Sequence, residues 1–369
     1  MNYSETIKFI ADILSLSVCA KRKANLEFQL RNDKIVWERV IQVSTEHLVL
    51  PALYIRLIQA KLIDLLPQDL QVYMEHLTSL NRSRNQQNIL QVEELNALLL
   101  HNNIQPIYLK GTAHLLEGLY SDIGERMVGD IDLLVAPENM EKAADLLVKN
   151  GYSPMSEYSS EDFVKTKHYP RMIHPDKVFA VEIHKDVIQK VSHRQLDYTR
   201  INSFKRSIKG YYLPAYSDLI LHNSMNTQLN DQGFLFMRIN LRQKYDLLLL
   251  SQYEKPIDVI ENFNFHKLKL QSYLVKSACL FPEQNALVYP KTVWTYWVEL
   301  LMSLKLKFPK SLKVITGINF VLYRIYRDVS LAIEYLPNHK KRSRILKYVL
   351  NSEKRSVYFQ NIYSRLKSM

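Results

Sequence analysis

The sequence predicts an α+β fold: a small mixed β-sheet core with its own helices, flanked by an N-terminal and a C-terminal helical region. Three observations predict it. Apolar residues recur at three- and four-residue spacing up to about residue 103, and no glycine precedes Gly111. Between 106 and 214 short apolar runs alternate with helical patterns and turn residues. After Pro214 the helical period returns. The boundaries read from these changes are 1–104, 105–214 and 215–369.

Each element follows from its own pattern. "IVWERVIQVSTEHLVLPALYIRLIQAKLI" is helical with an interruption at Pro51, and "LPQDLQVYMEHLTSLNRSRNQQNILQVEELNALLLHNN" continues for about ten turns until the polar step ending in Pro106. "PIYLK" (106–110) reads as a short buried strand and "GTAHLLEGLY" as a helix opened by Gly111 and Thr112. "MVGDIDLLV" reads as a second strand, and "PENMEKAADLLVKNGY" as a helix with Pro137 at its start and Gly151 past its end. "KHYPRMIHPDKVFAVEIHKD" reads as two strands around the turn "HPDK", and "GYYLP" (210–214) as another strand. "YSDLILHNSMNTQL" and "FLFMRINLRQKYDLLLLSQY" then read as helices.

Composition narrows the class. With 47% hydrophobic and 23% charged residues among 369, the chain is an ordinary folded protein of more than one domain's length. The two cysteines, Cys19 and Cys279, have no metal-ligand spacing and read as reduced thiols. The N-terminus places acids before its apolar positions and bases after them, the reverse of a secretory signal, and no apolar run reaches bilayer length, so the expected location is cytoplasmic. The net charge of +12 lies wholly in the last third: residues 256–369 hold 19 Lys+Arg against 7 Asp+Glu, whereas 1–255 hold 30 of each. An acidic partner would be met there. "NHKKRSRILKYVLNSEKRS" (338–356) is the densest basic run and the candidate nucleic-acid contact. "KTVWTYWVELLMSLKLKFPKSLK" mixes Trp294, Tyr296 and Trp297 with Lys305, Lys307 and Lys310; the mixture suits a surface for RNA or acidic lipid, but the helical spacing of its aromatics favours a core with solvated lysines.

The chemistry sits in "GDIDLLV". Residues i and i+2 of a strand share a face, so Asp130 and Asp132 project side by side. Two ionised carboxylates repel there, unless a divalent cation lies between them, as Mg²⁺ does with one or two carboxylates and substrate phosphates. Glu182 in "FAVEIH" is a lone acid in another apolar strand and the natural third carboxylate; His184 follows on the same face. "LKGTA" lies at a strand-to-helix junction, where Gly111 permits close approach of a phosphate and Thr112 offers a hydroxyl and an N–H. Lys110 and Arg126 are the nearby cations; Arg126 would pair with a carboxylate or a phosphate. Arg242 stands one turn before Asp246, the spacing of a simple helical ion pair.

"LKGTA", "LYSDIGERMVGDIDLLV", "GY" and "VEIH" together resemble the polymerase-β-like nucleotidyltransferase superfamily, and more closely a bacterial branch labelled uncharacterised nucleotidyltransferase. "LILHNSMN" and "LRQKYDLLLL", with His222 and Asp246, extend the resemblance to about residues 35–255. It implies transfer of a nucleoside monophosphate from an NTP, ATP foremost, to a hydroxyl or phosphate acceptor. Asp130, Asp132 and Glu182 would hold two Mg²⁺ ions, with Mn²⁺ as a substitute, and His184 would assist catalysis. Lys110, Gly111, Thr112 and Arg126 would bind the nucleotide. Two other readings compete with this one: a non-catalytic or regulatory module that contacts nucleic acid or protein through the basic third, and a metal-dependent hydrolase using the same carboxylates.

Overall fold

The computed structural model describes the chain except residues 17, 20, 156–167, 189–194, 283–285, 309–313, 315–316, 327–328, 330–332, 334–355, 357–359 and 361–369. Four helices, α1 (Tyr3–Ser15), α2 (Arg22–Asn32), α3 (Trp37–Glu46) and α4 (Leu50–Gln59), precede the long α5 (Gln68–His101). Pro51 breaks the α3–α4 pattern by occupying the first turn of α4, where its missing N–H leaves no gap in the ladder.

The mixed sheet has the order β3–β4–β5–β2–β1–β7–β6 and lies wholly between residues 107 and 213. Its centre is β2 (Asp130–Leu134), antiparallel to β1 (Ile107–Tyr108) and parallel to β5 (Ala180–His184). A parallel pair needs a crossover, supplied by α7 (Met140–Lys149). β4 (Met172–Ile173) turns into β5 at "HPDK", and β3 (Ser153–Pro154) adds an outer strand. On the other side β7 (Tyr211–Leu213) runs parallel to β1 and pairs with β6 (Arg206–Ile208). β3 and β6 were not expected: two or three residues long and partly polar, they carry no alternating signal.

β1 is shorter than predicted, because the chain enters α6 (Lys110–Glu117) at Lys110. Lys110 takes a positive φ of 50° at that junction, so the strand-to-helix turn is made by the lysine. A Cβ on Gly111 would lie 3.1 Å from Val128 Cγ2, so the helix start sits tightly against the approach to β2. Gly118 in the left-handed region (φ 73°) ends α6 and sends the chain into the loop 119–129.

α8 (Tyr198–Phe204) precedes β6, and α9 (Tyr216–Met225) and α10 (Leu241–Leu250) follow the sheet. The helix expected over 234–253 begins only at Leu241. Asn240 stops it there, accepting from Gln243 N at 3.3 Å, and the stretch before it is a π-turn (Asn226–Asn230) followed by turns. α11 (Pro256–Glu261), α12 (Lys267–Leu280) and α13 (Val293–Lys307) continue the helical half. The core assignment of the α13 aromatics is corrected: Tyr296 is 66% and Trp297 54% exposed, because Val298, Met302 and Leu306 take the buried face. Trp294 instead donates its indole N–H to Leu268 O and Ser272 Oγ at 3.0 Å. Lys310 and the run 338–356, apart from Ser356, lie outside the described residues. Among the described residues no helix is long and apolar enough to cross a membrane.

α5 is the spine behind the site. Its middle buries amides where an apolar stripe would be expected: Asn81 donates to Gly124 O and Arg126 O, and Asn85 to Ile123 O and Arg126 O. Two turns on, Gln91 donates to Phe179 O and accepts from Phe179 N, just before β5. The approach loop and the strand bearing Glu182 are thereby fixed to one helix.

Candidate active site

β2 and β5 are in parallel register with Asp132 opposite Glu182, and Asp130 opposite Ala180. Three carboxylates therefore share one face at the centre of the sheet. Apolar neighbours bury the rest of both strands: Ile131, Leu133, Leu134, Val181 and Ile183 are fully excluded from water. Asp132 itself is 2% exposed.

A buried carboxylate requires partners. Asp132 accepts from the Lys110 ammonium, and the buried His184 places Nε2 2.7 Å from Asp132 Oδ1 and 3.5 Å from Glu182 Oε2. Arg171, just before β4, sets Nη2 2.5 Å from Asp130 Oδ2 and 3.2 Å from Glu182 Oε1. Burial alone would raise Asp132; Lys110 and the His184 hydrogen bond outweigh it and hold the carboxyl well below its usual range. The His184 hydrogen bond likewise lowers Glu182. Asp130 goes the other way: burial, then the Asp132 charge, push it up to about 6.

Asp132, Glu182 and His184 offer ligand atoms all within 4.8 Å of one another. Asp130 stands beside this group, linked to Glu182 through Arg171. Convergent carboxylate oxygens with one imidazole nitrogen could hold a divalent cation, and the three acids exceed the two permanent cations among them.

The other expected residues divide. A cleft of about 260 Å³ is lined by Lys110, Gly111, Arg126, Asp130 and Asp132, together with His222, Arg242 and Asp246 from the helical half. Thr112 is not on that lining; it is buried, and its hydroxyl donates to Asp130 O at 3.3 Å. Arg126 pairs with a carboxylate, though not with the strand acids. Its Nε and Nη2 lie 2.9 and 2.8 Å from the two oxygens of Asp246, which also accepts from the Tyr120 hydroxyl and has His114 Nδ1 at 3.6 Å. Burial would raise Asp246, but Arg126 and His114 hold it well below the usual range.

Arg171 was missed by the sequence reading, although the signal was present. Counting back from the "HPDK" turn pairs Met172 with Val181, which brings Arg171 level with Glu182.

Over residues 33–280, two thirds of its length, the chain matches the family model described as Uncharacterised nucleotidyltransferase. No curated protein and no solved structure matches it.

Proposed function

The chain belongs to this uncharacterised nucleotidyltransferase family, and on that premise we propose Mg²⁺-dependent transfer of a nucleoside monophosphate from an NTP to a hydroxyl or phosphate acceptor. The observation that carries the reading is the register of β2 and β5, which sets Asp132 against Glu182, with Asp130 on the same face, beside the start of α6. Asp130, Asp132 and Glu182 would hold the Mg²⁺, with Mn²⁺ as a substitute. Once bound, the metal would polarise the α-phosphate and lower the pKa of the acceptor hydroxyl.

The chain's own groups have distinct tasks. The N-terminus of α6, with Gly111 at its tightest point, favours an anion arriving from the cleft. Lys110 would turn from Asp132 toward a phosphate, stabilising charge on the departing pyrophosphate. His184 is fully buried and is assigned to orienting Asp132 and Glu182. The acceptor oxygen forms one bond to the α-phosphorus while the bond to pyrophosphate breaks. The units 105–214 and 215–369 are proposed to meet at the cleft, whose walls come from both.

The test is a melting curve in the presence of each Mg²⁺–NTP. One or more of ATP, CTP, GTP and UTP is expected to raise the wild-type melting temperature, and Asp132→Asn to abolish that rise while the ligand-free protein still melts cooperatively. An unmoved wild-type curve with all four nucleotides would overturn the reading.

A further inference from the structure

Three cations line the cleft, and two of them are engaged by carboxylates: Lys110 by Asp132, and Arg126 by Asp246. The third, Arg242, is not. Its place one turn before Asp246 would suit an i,i+4 pair, but Asp246 spends both oxygens on Arg126. Among the described residues no carboxylate lies within ion-pair distance of Arg242. Its Nη1 donates to Met127 O at 3.0 Å, while its Nε is buried with no acceptor. The acid elsewhere on this wall, Asp231, accepts from Gln243 at 3.3 Å. Burial and the neighbouring Arg126 charge pull Arg242 down to about 10, outweighing the more distant Asp246 and Asp130 charges.

A guanidinium left partly unsatisfied costs stability, and such a cost is retained where a ligand supplies the missing charge. The same cleft is lined by Lys110 and Gly111 at the start of α6 and by Asp130 and Asp132, so a metal-bound phosphate in it would have Arg242 among its neighbouring cations. We infer that Arg242 is a polyphosphate ligand, donating from the part of its guanidinium that lines the cleft to phosphate oxygens of the NTP tail. A planar fork of donors suits phosphate oxygens. The inference rests on the nucleotidyltransferase reading and adds a binding residue from the helical half, beyond the strand-to-helix junction.

The experiment uses the full chain with two variants, Arg242→Gln and Arg242→Lys, and three probes: Mg²⁺–ATP, sodium tripolyphosphate and Mn²⁺. Calorimetric titration should show Arg242→Gln weakening ATP and tripolyphosphate by about 10- to 100-fold, with Arg242→Lys intermediate and Mn²⁺ binding unchanged. The ligand-free Gln variant should melt at or above the wild-type temperature, since an uncompensated charge has been removed. Wild-type affinity for both phosphates in Arg242→Gln would overturn the inference and leave the nucleotidyltransferase reading standing. A wild-type protein that binds neither ATP nor tripolyphosphate overturns both. Lower ligand-free melting temperatures in both variants, with binding lost in both, would assign Arg242 to the fold and overturn the inference as well.

Discussion

Two acid clusters reach the same cleft, and they are built on opposite terms. Around Asp246 the set is closed: one carboxylate receives two hydrogen bonds from one guanidinium and a third from a phenol, all buried. On β2 and β5 the set is open: three carboxylates share Lys110 and Arg171, Arg171 is half-exposed, and one carboxyl is pushed up to about 6. Matched charge in a dry site fixes structure, here holding α10 against the approach to β2. Surplus negative charge in a partly open site favours a cation arriving from solution. Burial and the ratio of charges separate the two clusters in the same direction.

The comparison can be broken most sharply at Asp246. Asp246→Ala leaves Arg126 buried without its partner and should cost about 3–5 kcal/mol in chemical denaturation. A loss below about 1 kcal/mol would mean the closed cluster is not structural.

The next effect is pH-dependent and belongs to the open cluster. Asp130 holds its proton more tightly folded, at about 6, than unfolded at its ordinary 3.8. Its contribution is therefore fully present below about pH 4 and lost as pH rises through about 6. In chelator, wild type should lose on the order of 3 kcal/mol relative to Asp130→Asn across that window. Parallel pH profiles for the two proteins would show that neither burial nor the Asp132 charge raises Asp130.

The smallest effect is expected at Arg171. Its side chain is 44% exposed, so Arg171→Gln should change stability by less than about 1 kcal/mol. A larger loss would make Arg171 part of a closed network like that of Asp246.

How much of this was legible beforehand depends on the range of each signal. The period-2 rule placed Asp130 and Asp132 on one face, and the paired acids in "GDIDLLV" and the lone acid in "FAVEIH" marked the two central strands. The partner of Asp246 was not legible. Spacing pointed to Arg242, whereas the fold brings in Arg126 from 120 residues away. The exposure of Tyr296 and Trp297 was hidden because α13 is apolar on most sides, so periodicity selects no face. The start of α10 at Leu241 depends on one capping side chain, Asn240, inside a run that otherwise reads as helix.

α5 also acts as a ruler. Asn81 and Gln91, ten residues and about 15 Å apart on one continuous helix, grip the loop before Asp130 and the chain before Glu182. Inserting or deleting one residue between them would turn one grip by about 100° relative to the other. The permitted variation in this segment is thus in residue type and not in residue number. Two strands joined through a long crossover owe their shared registration to a length counted out elsewhere in the chain.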